Sequence, residues 1–338
     1  MPSSERVARR SWVACAAAIA ALSASPVGAQ QAVEGFALER FHPAPPGAGW
    51  LAMDALAMHG GLGGVVSLVG GYAHAPLVLA TTDGARRLAP VAHQAFADIG
   101  LAVTYDRFRF SLDLTTPVAI TGESGTIGGY SFTAPSVVTP RNPDVLSDVR
   151  LGVDARLVGD GSSPFRLGFG VQLFTPNGER EGYATDGTFR AMGRALVAGD
   201  LGALAWAGHA GVHVRPLDDG PAPGSPRGHE LLFGLAVGGK LPVCGASTLV
   251  VGPEVFGETA LREAFGATAT GVEGLLGARI ERTEGARLMR FKLGTGGAIY
   301  RHFGAPEWRV VFGLEVAANH PLEPVRHDDR SAALDRAR

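Results

Sequence analysis

The feature that most constrains the fold is a strict two-residue alternation sustained over segments of ten to thirteen residues. Trp308, Val310, Phe312, Leu314 and Val316 are apolar, and Arg309, Gly313 and Glu315 fall between them. Phe165, Leu167, Phe169, Val171 and Leu173 stand in the same way against Arg166, Gly168, Gly170 and Gln172. Val149, Leu151, Val153, Ala155 and Leu157 repeat the division against Asp148, Arg150, Gly152, Asp154 and Arg156. Successive side chains of a β-strand point to opposite faces, so this period predicts strands with one greasy and one polar face. Such runs fall at 62–73, 91–104, 107–119, 148–158, 165–175, 188–199, 203–215, 229–239, 247–258, 270–281, 287–299 and 307–317. They number twelve, and the stretch from Trp50 to Met58 is a candidate for a further strand.

A soluble β-sandwich would alternate too, so three further features separate it from a membrane barrel. Strands of soluble proteins average about five or six residues, whereas these have the length that a tilted strand needs to cross hydrocarbon. Connections alternate between short turns, at Tyr105-Asp106-Arg107, Asp160-Gly161-Ser162-Ser163, Gly199-Asp200-Leu201 and Glu284-Gly285, and long polar loops at 121–147, 176–187, 216–228 and 259–269. That asymmetry matches tight periplasmic turns and longer extracellular loops. Tyr72, Tyr105, Trp206, Tyr300 and Trp308 lie near strand ends, where an interfacial girdle belongs. The sequence therefore predicts an all-β protein, an antiparallel transmembrane β-barrel of about 12 strands with 14 as the alternative.

Composition agrees. The 48 glycines among 338 residues, roughly twice average usage, disfavour long helices, and no apolar run after the first thirty residues has the length of a helical span. The formal net charge of -2 supplies no field for nucleic acid.

The ends suggest export. Arg6, Arg9 and Arg10 precede an apolar run from Trp12 to Leu22, and Val27-Gly28-Ala29 suits cleavage after Ala29. Residues 1–29 are thus expected to be a signal peptide, 30–47 a periplasmic lead-in broken by Pro43, Pro45 and Pro46, 48–318 the outer-membrane barrel and 319–338 a polar C-terminal tail. Without the signal peptide, Cys244 is the only cysteine, so no intramolecular disulfide is expected.

On these strands the charged residues expected to face the lumen are Asp98, Arg109, Asp113, Arg150, Asp154, Arg156, Arg166, Arg190, Arg194, Glu230, Glu254, Glu273, Arg279, Lys292, Arg309 and Glu315. Both signs occur on adjacent strands, which makes cross-strand pairs available. Gly168, Gly170, Gly234, Gly238, Gly277, Gly294 and Gly296 share that face and leave space. His209 and His213 also share a face, but four residues of strand separate them by about 13 Å, too far for one ion. No metal site is expected from them. Asn177-Gly178 and Asp186-Gly187 read as turns rather than calcium ligands. Gly122-Glu123-Ser124-Gly125 lacks the spacing of a nucleophile elbow. Neither a catalytic group nor a cofactor site emerges.

Several stretches carry a family resemblance: FALERFHPAPPGAGW at 36–50, VLSDVRLGVDARL at 145–157, QLFTPNGER at 172–180, GYATDGT at 182–188 and VVGPEVFG at 250–257. In these the chain resembles the N-terminal β-barrel of OmpA-family outer-membrane proteins of myxobacteria and related deltaproteobacteria. The resemblance implies a Gram-negative outer-membrane barrel, with lipid and the barrel-assembly machinery as partners. Such proteins often continue into a peptidoglycan-binding domain. Here the chain ends in the polar tail HPLEPVRHDDRSAALDRAR, so no peptidoglycan binding is expected. The expected function is structural or that of a narrow, ion-paired passive channel, without enzymatic activity. The alternatives are an outer-membrane transporter for small hydrophobic or aromatic compounds and a soluble periplasmic binding β-protein.

Overall fold

The computed structural model describes residues 31–320 apart from 59, 139, 140, 142–145, 219–221, 223 and 244. The signal peptide, Cys244 and nearly all of the polar tail lie outside the described residues. Twelve long strands form the wall: β1 (Leu62–Ala80), β2 (Arg87–Tyr105), β3 (Phe108–Thr121), β4 (Val149–Val158), β5 (Arg166–Thr175), β6 (Arg190–Leu201), β7 (Leu204–Val214), β8 (Glu230–Pro242), β9 (Ser247–Ala260), β10 (Thr270–Glu284), β11 (Arg287–Tyr300) and β12 (Trp308–His320). Each pairs antiparallel with its successor, and β12 returns to β1 in register from Trp308 opposite His74 to His320 opposite Leu62. The barrel is closed.

Strand limits fall within three residues of those predicted, except in the first hairpin, where β1 runs on to Ala80 and β2 starts at Arg87. The alternation breaks there for a physical reason. Ala75 takes φ 52 ahead of Pro76, and the register against β2 shifts between His74 and Leu77 while the ladder continues.

The outward set is apolar and open. Leu68, Leu101, Phe110, Leu151, Val171, Leu235, Phe291, Phe312 and Leu314 are each exposed on the wall. A patch this large and continuous is unstable in water and matches hydrocarbon. Trp308 packs on Tyr72 with ring centroids 5.0 Å apart at one rim, and Trp206 lies 6.2 Å from Phe165 at the other. Turns at 106–107, 202–203 and 285–286 join strands at one end, and the longer connections gather at the opposite end.

At the long-loop end, the strands Gly125–Ile127 and Tyr130–Phe132 form a small hairpin, and Gln31–Val33 pairs parallel with its second strand. This overturns the expectation of a periplasmic lead-in. From there the chain descends inside the barrel and emerges at the short-turn end to begin β1. Phe36, Leu38, Phe41, Trp50, Leu51, Met53, Leu56 and Met58 are all buried. Trp50 to Met58 is correspondingly not a wall strand. The proline-broken segment bonds to itself instead, with Ala44 donating to Leu51 O at 2.8 Å, Ala48 to Pro45 O at 2.9 Å and Ala55 to Ala48 O at 2.8 Å.

Phe169 sits at the middle of β5 on the outer face, opposite Ala155 and Ala195, and is 48% exposed. Phe169→Arg should cost about 2–4 kcal/mol in lipid if it meets the bilayer near its midplane. Denaturant titration of protein folded into vesicles measures this, and a negligible cost would mean that Phe169 faces water. Epitope tags in the 122–148 loop should be read on intact cells without permeabilisation.

Candidate functional site: a lumen filled by the chain's own N-terminal segment

The inner face of the wall is charged, and the segment 36–58 is what those charges hold. Glu254 on β9 accepts hydrogen bonds from three successive backbone N–H groups, Leu51 at 2.8 Å, Ala52 at 2.9 Å and Met53 at 3.1 Å. Such a nest of donors binds an anion without any side chain of the segment taking part. Arg109, 1% exposed, pairs with Asp54 of the segment and with Asp154 directly across the ladder at 2.7 Å. Lys292 donates to Trp50 O at 3.0 Å and to Glu315 at 2.5 Å. Arg156 donates to the carbonyls of Leu56 and Met58, and so holds the segment where it leaves the lumen.

Nearer the long-loop end the polarity repeats with the segment's own charges. Arg40 bonds Glu230 of β8 and Glu258 of β9, each at 2.6 Å, and Arg309 of β12 bonds Glu273 at 2.9 Å and Glu39 at 2.8 Å. The Arg309 guanidinium also lies over the Phe41 ring, 5.2 Å from its centroid, and Arg279 lies 4.3 Å over that of Trp50.

The remaining charges named from the sequence are buried on the same face and pair within the wall. Arg150 meets Asp113 at 3.1 Å, Arg190 meets Asp148 at 2.9 Å, Arg194 lies 3.6 Å from Asp154, and Arg166 meets Asp200 at 2.7 Å. Asp98 accepts from Thr115 Oγ1 at 2.5 Å, and Arg279 shares Glu281 with Arg290. Asp200, Glu258 and Glu281 were not among the expected lumen residues.

Between the charges, inward glycines receive the segment's apolar side chains. A β-carbon at Gly168 would come within 2.8 Å of Leu56, and one at Gly234 or Gly294 would collide with Met53 or Leu51 respectively. These residues continue into a buried cluster with Val69, Phe96, Leu196, Phe256, Leu275 and Val311 of the wall. The space that remains beside His42 amounts to cavities of about 60 and 30 Å³, room for a few waters. Residues 36–58 occupy most of the lumen.

The top of the segment is pinned by Asp186 in the loop after β5. It accepts from Ala37 N at 2.8 Å and from Arg215 Nε at 2.5 Å. Burial pushes the Asp186 carboxyl up, but the Arg215 guanidinium outweighs it and brings the pKa down to about 2. Gly187 takes φ 71, as the turn reading requires, yet the aspartate beside it serves as an anchor. Sequence reasoning did not find Glu39, Arg40, His42 and Asp54 as site residues. The signal available was the density of large apolar residues in 36–58, which is unusual for a solvated linker. His42 lies 3.4 Å from Glu258, and His213 lies 3.5 Å from it. Ligand atoms of these three lie within 4.8 Å of one another, whereas His209 does not join the group.

No family model matches the chain, and no curated protein does. Among solved structures it is similar to an outer membrane channel from Pseudomonas putida F1, at 13% identity and a TM-score of 0.50, over 82% of this chain and 100% of that one. It is also similar to the NanC porin, at 9% identity and a TM-score of 0.44 over 75% of this chain and 100% of that one. An anion-selective porin from Comamonas acidovorans matches at 9% identity and a TM-score of 0.30, over 77% of this chain and 98% of that one. The likeness is one of fold: this chain has the closed antiparallel barrel of outer-membrane proteins.

Glu254→Ala should release the amides of residues 51–53 to hydrogen exchange and lower stability by about 1–3 kcal/mol, the range for leaving buried donors without an acceptor. Unchanged protection of those amides would mean that Glu254 does not hold the segment. Asp186 has its folded pKa below its unfolded value near 3.8, so its stabilisation is present above pH ~4 and lost as the pH falls towards 2. It should amount to about 2 kcal/mol. Denaturation of the wild type and Asp186→Asn between pH 5 and pH 2 should show their difference shrinking across that window.

Proposed function

We propose that the protein is a passive, non-catalytic outer-membrane barrel, structural while sealed, in which a narrow solute passage opens only when residues 36–58 leave the lumen. The observation that carries this reading is the contrast between the two faces of the wall. The outer face is apolar enough for lipid alone, and the inner face is a charged surface satisfied partly within the wall and partly by a segment that no wall hydrogen-bond ladder retains. A soluble binding protein would not leave Phe110, Phe169, Phe291 and Phe312 open to water.

This reading takes with it export through the signal peptide of residues 1–29, insertion by the barrel-assembly machinery, and lipid rather than peptidoglycan or nucleic acid as the partner. The resemblance to the OmpA-family barrels supports the same placement. The transporter reading draws on the apolar lining of the cavity beside His42, which includes Phe41, Phe96 and Phe174. At about 60 Å³ it falls short of the ~150 Å³ of a cavity that accepts benzene, so an aromatic solute would also need the segment to move.

In planar bilayers the unaltered protein should be silent or pass only small, infrequent current steps. A variant carrying Asp54→Ala and Glu254→Ala, with the segment unpinned at two places, should conduct in larger and longer steps. Steady porin-like current in the unaltered protein, with the double variant no different, would overturn the reading.

A further inference from the structure

We infer that His42, His213 and Glu258 form a binding site for one divalent transition-metal ion of the zinc class, which fastens the N-terminal segment to the wall. The three residues come from separate elements: His42 from the lumen segment, His213 from β7 and Glu258 from β9. Their ligand atoms lie within 4.8 Å of one another. Donor atoms at about 2.0–2.2 Å from a tetrahedral zinc are about 3.3–3.5 Å apart. His42 Nε2 lies 3.4 Å from Glu258 Oε1 and His213 Nδ1 lies 3.5 Å from Glu258 Oε2, so each imidazole already meets that spacing to one oxygen of the carboxylate. Bringing one donor atom of each residue from within 4.8 Å to that spacing requires shifts of about an ångström.

The surroundings favour a bound ion. His42 Nε2, the atom that would ligate, is buried and makes no hydrogen bond to the described residues, which is costly for a polar atom away from water. The Phe174 ring packs against both imidazoles, with centroids 5.5 and 5.8 Å away, and limits their rotation. Arg40 is the nearest competing cation, bonded to Glu258 at 2.6 Å. It keeps two bonds to Glu230, at 2.6 and 2.8 Å, so it remains paired when Glu258 turns an oxygen to the metal. Two imidazole nitrogens among three donors select zinc, cobalt, nickel or copper over calcium and magnesium. The cavities adjoining His42 can supply a water as the fourth ligand.

The consequence is a metal bond between a segment held by no ladder and the two wall strands that it crosses. This inference rests on the segment lying in the lumen, so the test separates the two. Refolded full-length protein is stripped with chelator and titrated with Co²⁺ and with Zn²⁺, while hydrogen exchange at residues 51–53 reports the segment. One ion per chain is expected, with the visible absorption of tetrahedral cobalt. His42→Ala and His213→Gln should each weaken binding at least tenfold while His302→Ala does not, and all three variants should keep the heat-modifiable gel shift of a folded barrel. His42 lies off the wall, so its variant reports on binding even if a β7 substitution hinders folding. Absence of stoichiometric binding, or binding undiminished by both His42→Ala and His213→Gln, would overturn the inference. If amides 51–53 remain protected in that case, the metal site fails alone; if they exchange freely, the sealed lumen fails with it.

Discussion

A strand that crosses hydrocarbon meets no water to hydrogen-bond its edge, so everything in this molecule depends on β12 finding β1. Their ladder runs from Trp308 opposite His74 to His320 opposite Leu62, and without it two edges of unpaired N–H and C=O groups would face lipid at several kcal/mol apiece. Closure then decides the rest. Once the sheet meets itself, the alternation along every strand divides the molecule into a lipid surface and an interior. Whatever side chains fall on the inner set must find partners inside.

Twelve strands make an interior wider than wall side chains alone readily fill and narrower than that of a sixteen-stranded porin. The wall meets this with glycine and charge. At Gly168, Gly234 and Gly294 the absent side chain makes room for Leu56, Met53 and Leu51. Between such places, carboxylates and guanidinium groups reach inwards. Where two face each other across the ladder, as Asp154 and Arg109 or Glu315 and Arg290 do, they pair within the wall. Glu254 bonds instead to the segment's backbone, and Arg156 does so from the short-turn side.

The wall was legible because a period of two is a local signal, repeated twelve times, and because a one-residue error would have put Arg309 or Arg150 in lipid. The same logic gave the inward charges without any structure. The segment was not legible. FALERFHPAPPGAGWLAMDALAM has no sustained period, and its prolines announce only an absence of regular structure. Its place in the lumen depends on partners 200 residues away, such as Glu254, and a donor nest of backbone N–H groups leaves no mark in side-chain identity. Its large residues, Phe36, Phe41, Trp50 and Met53, were the only clue. On its own strand His213 is accompanied only by His209, and nothing in the proline-broken stretch 30–47 marks His42 as its neighbour in space.

The way the segment is held bears on how readily it could leave. A plug seated wholly in apolar surface would be released only by exposing that surface to water. Here much of the contact is ionic, and removing buried ion pairs to water costs far less than their close geometry suggests, because hydration offsets most of the lost attraction. Withdrawal would hydrate Arg40, Asp54, Arg109 and Glu254 together, while Arg109 keeps Asp154 and Lys292 keeps Glu315 across or beside the ladder. The apolar contacts of Leu51, Met53 and Leu56, made on inward glycines and with wall side chains such as Leu196, Phe256 and Val311, oppose this. The barrel itself needs none of these contacts to stay closed. On the proposed reading, filled and emptied states share one wall, and a ligand such as an ion for His42 and Glu258 shifts the balance between them by as much as its affinities for the two differ.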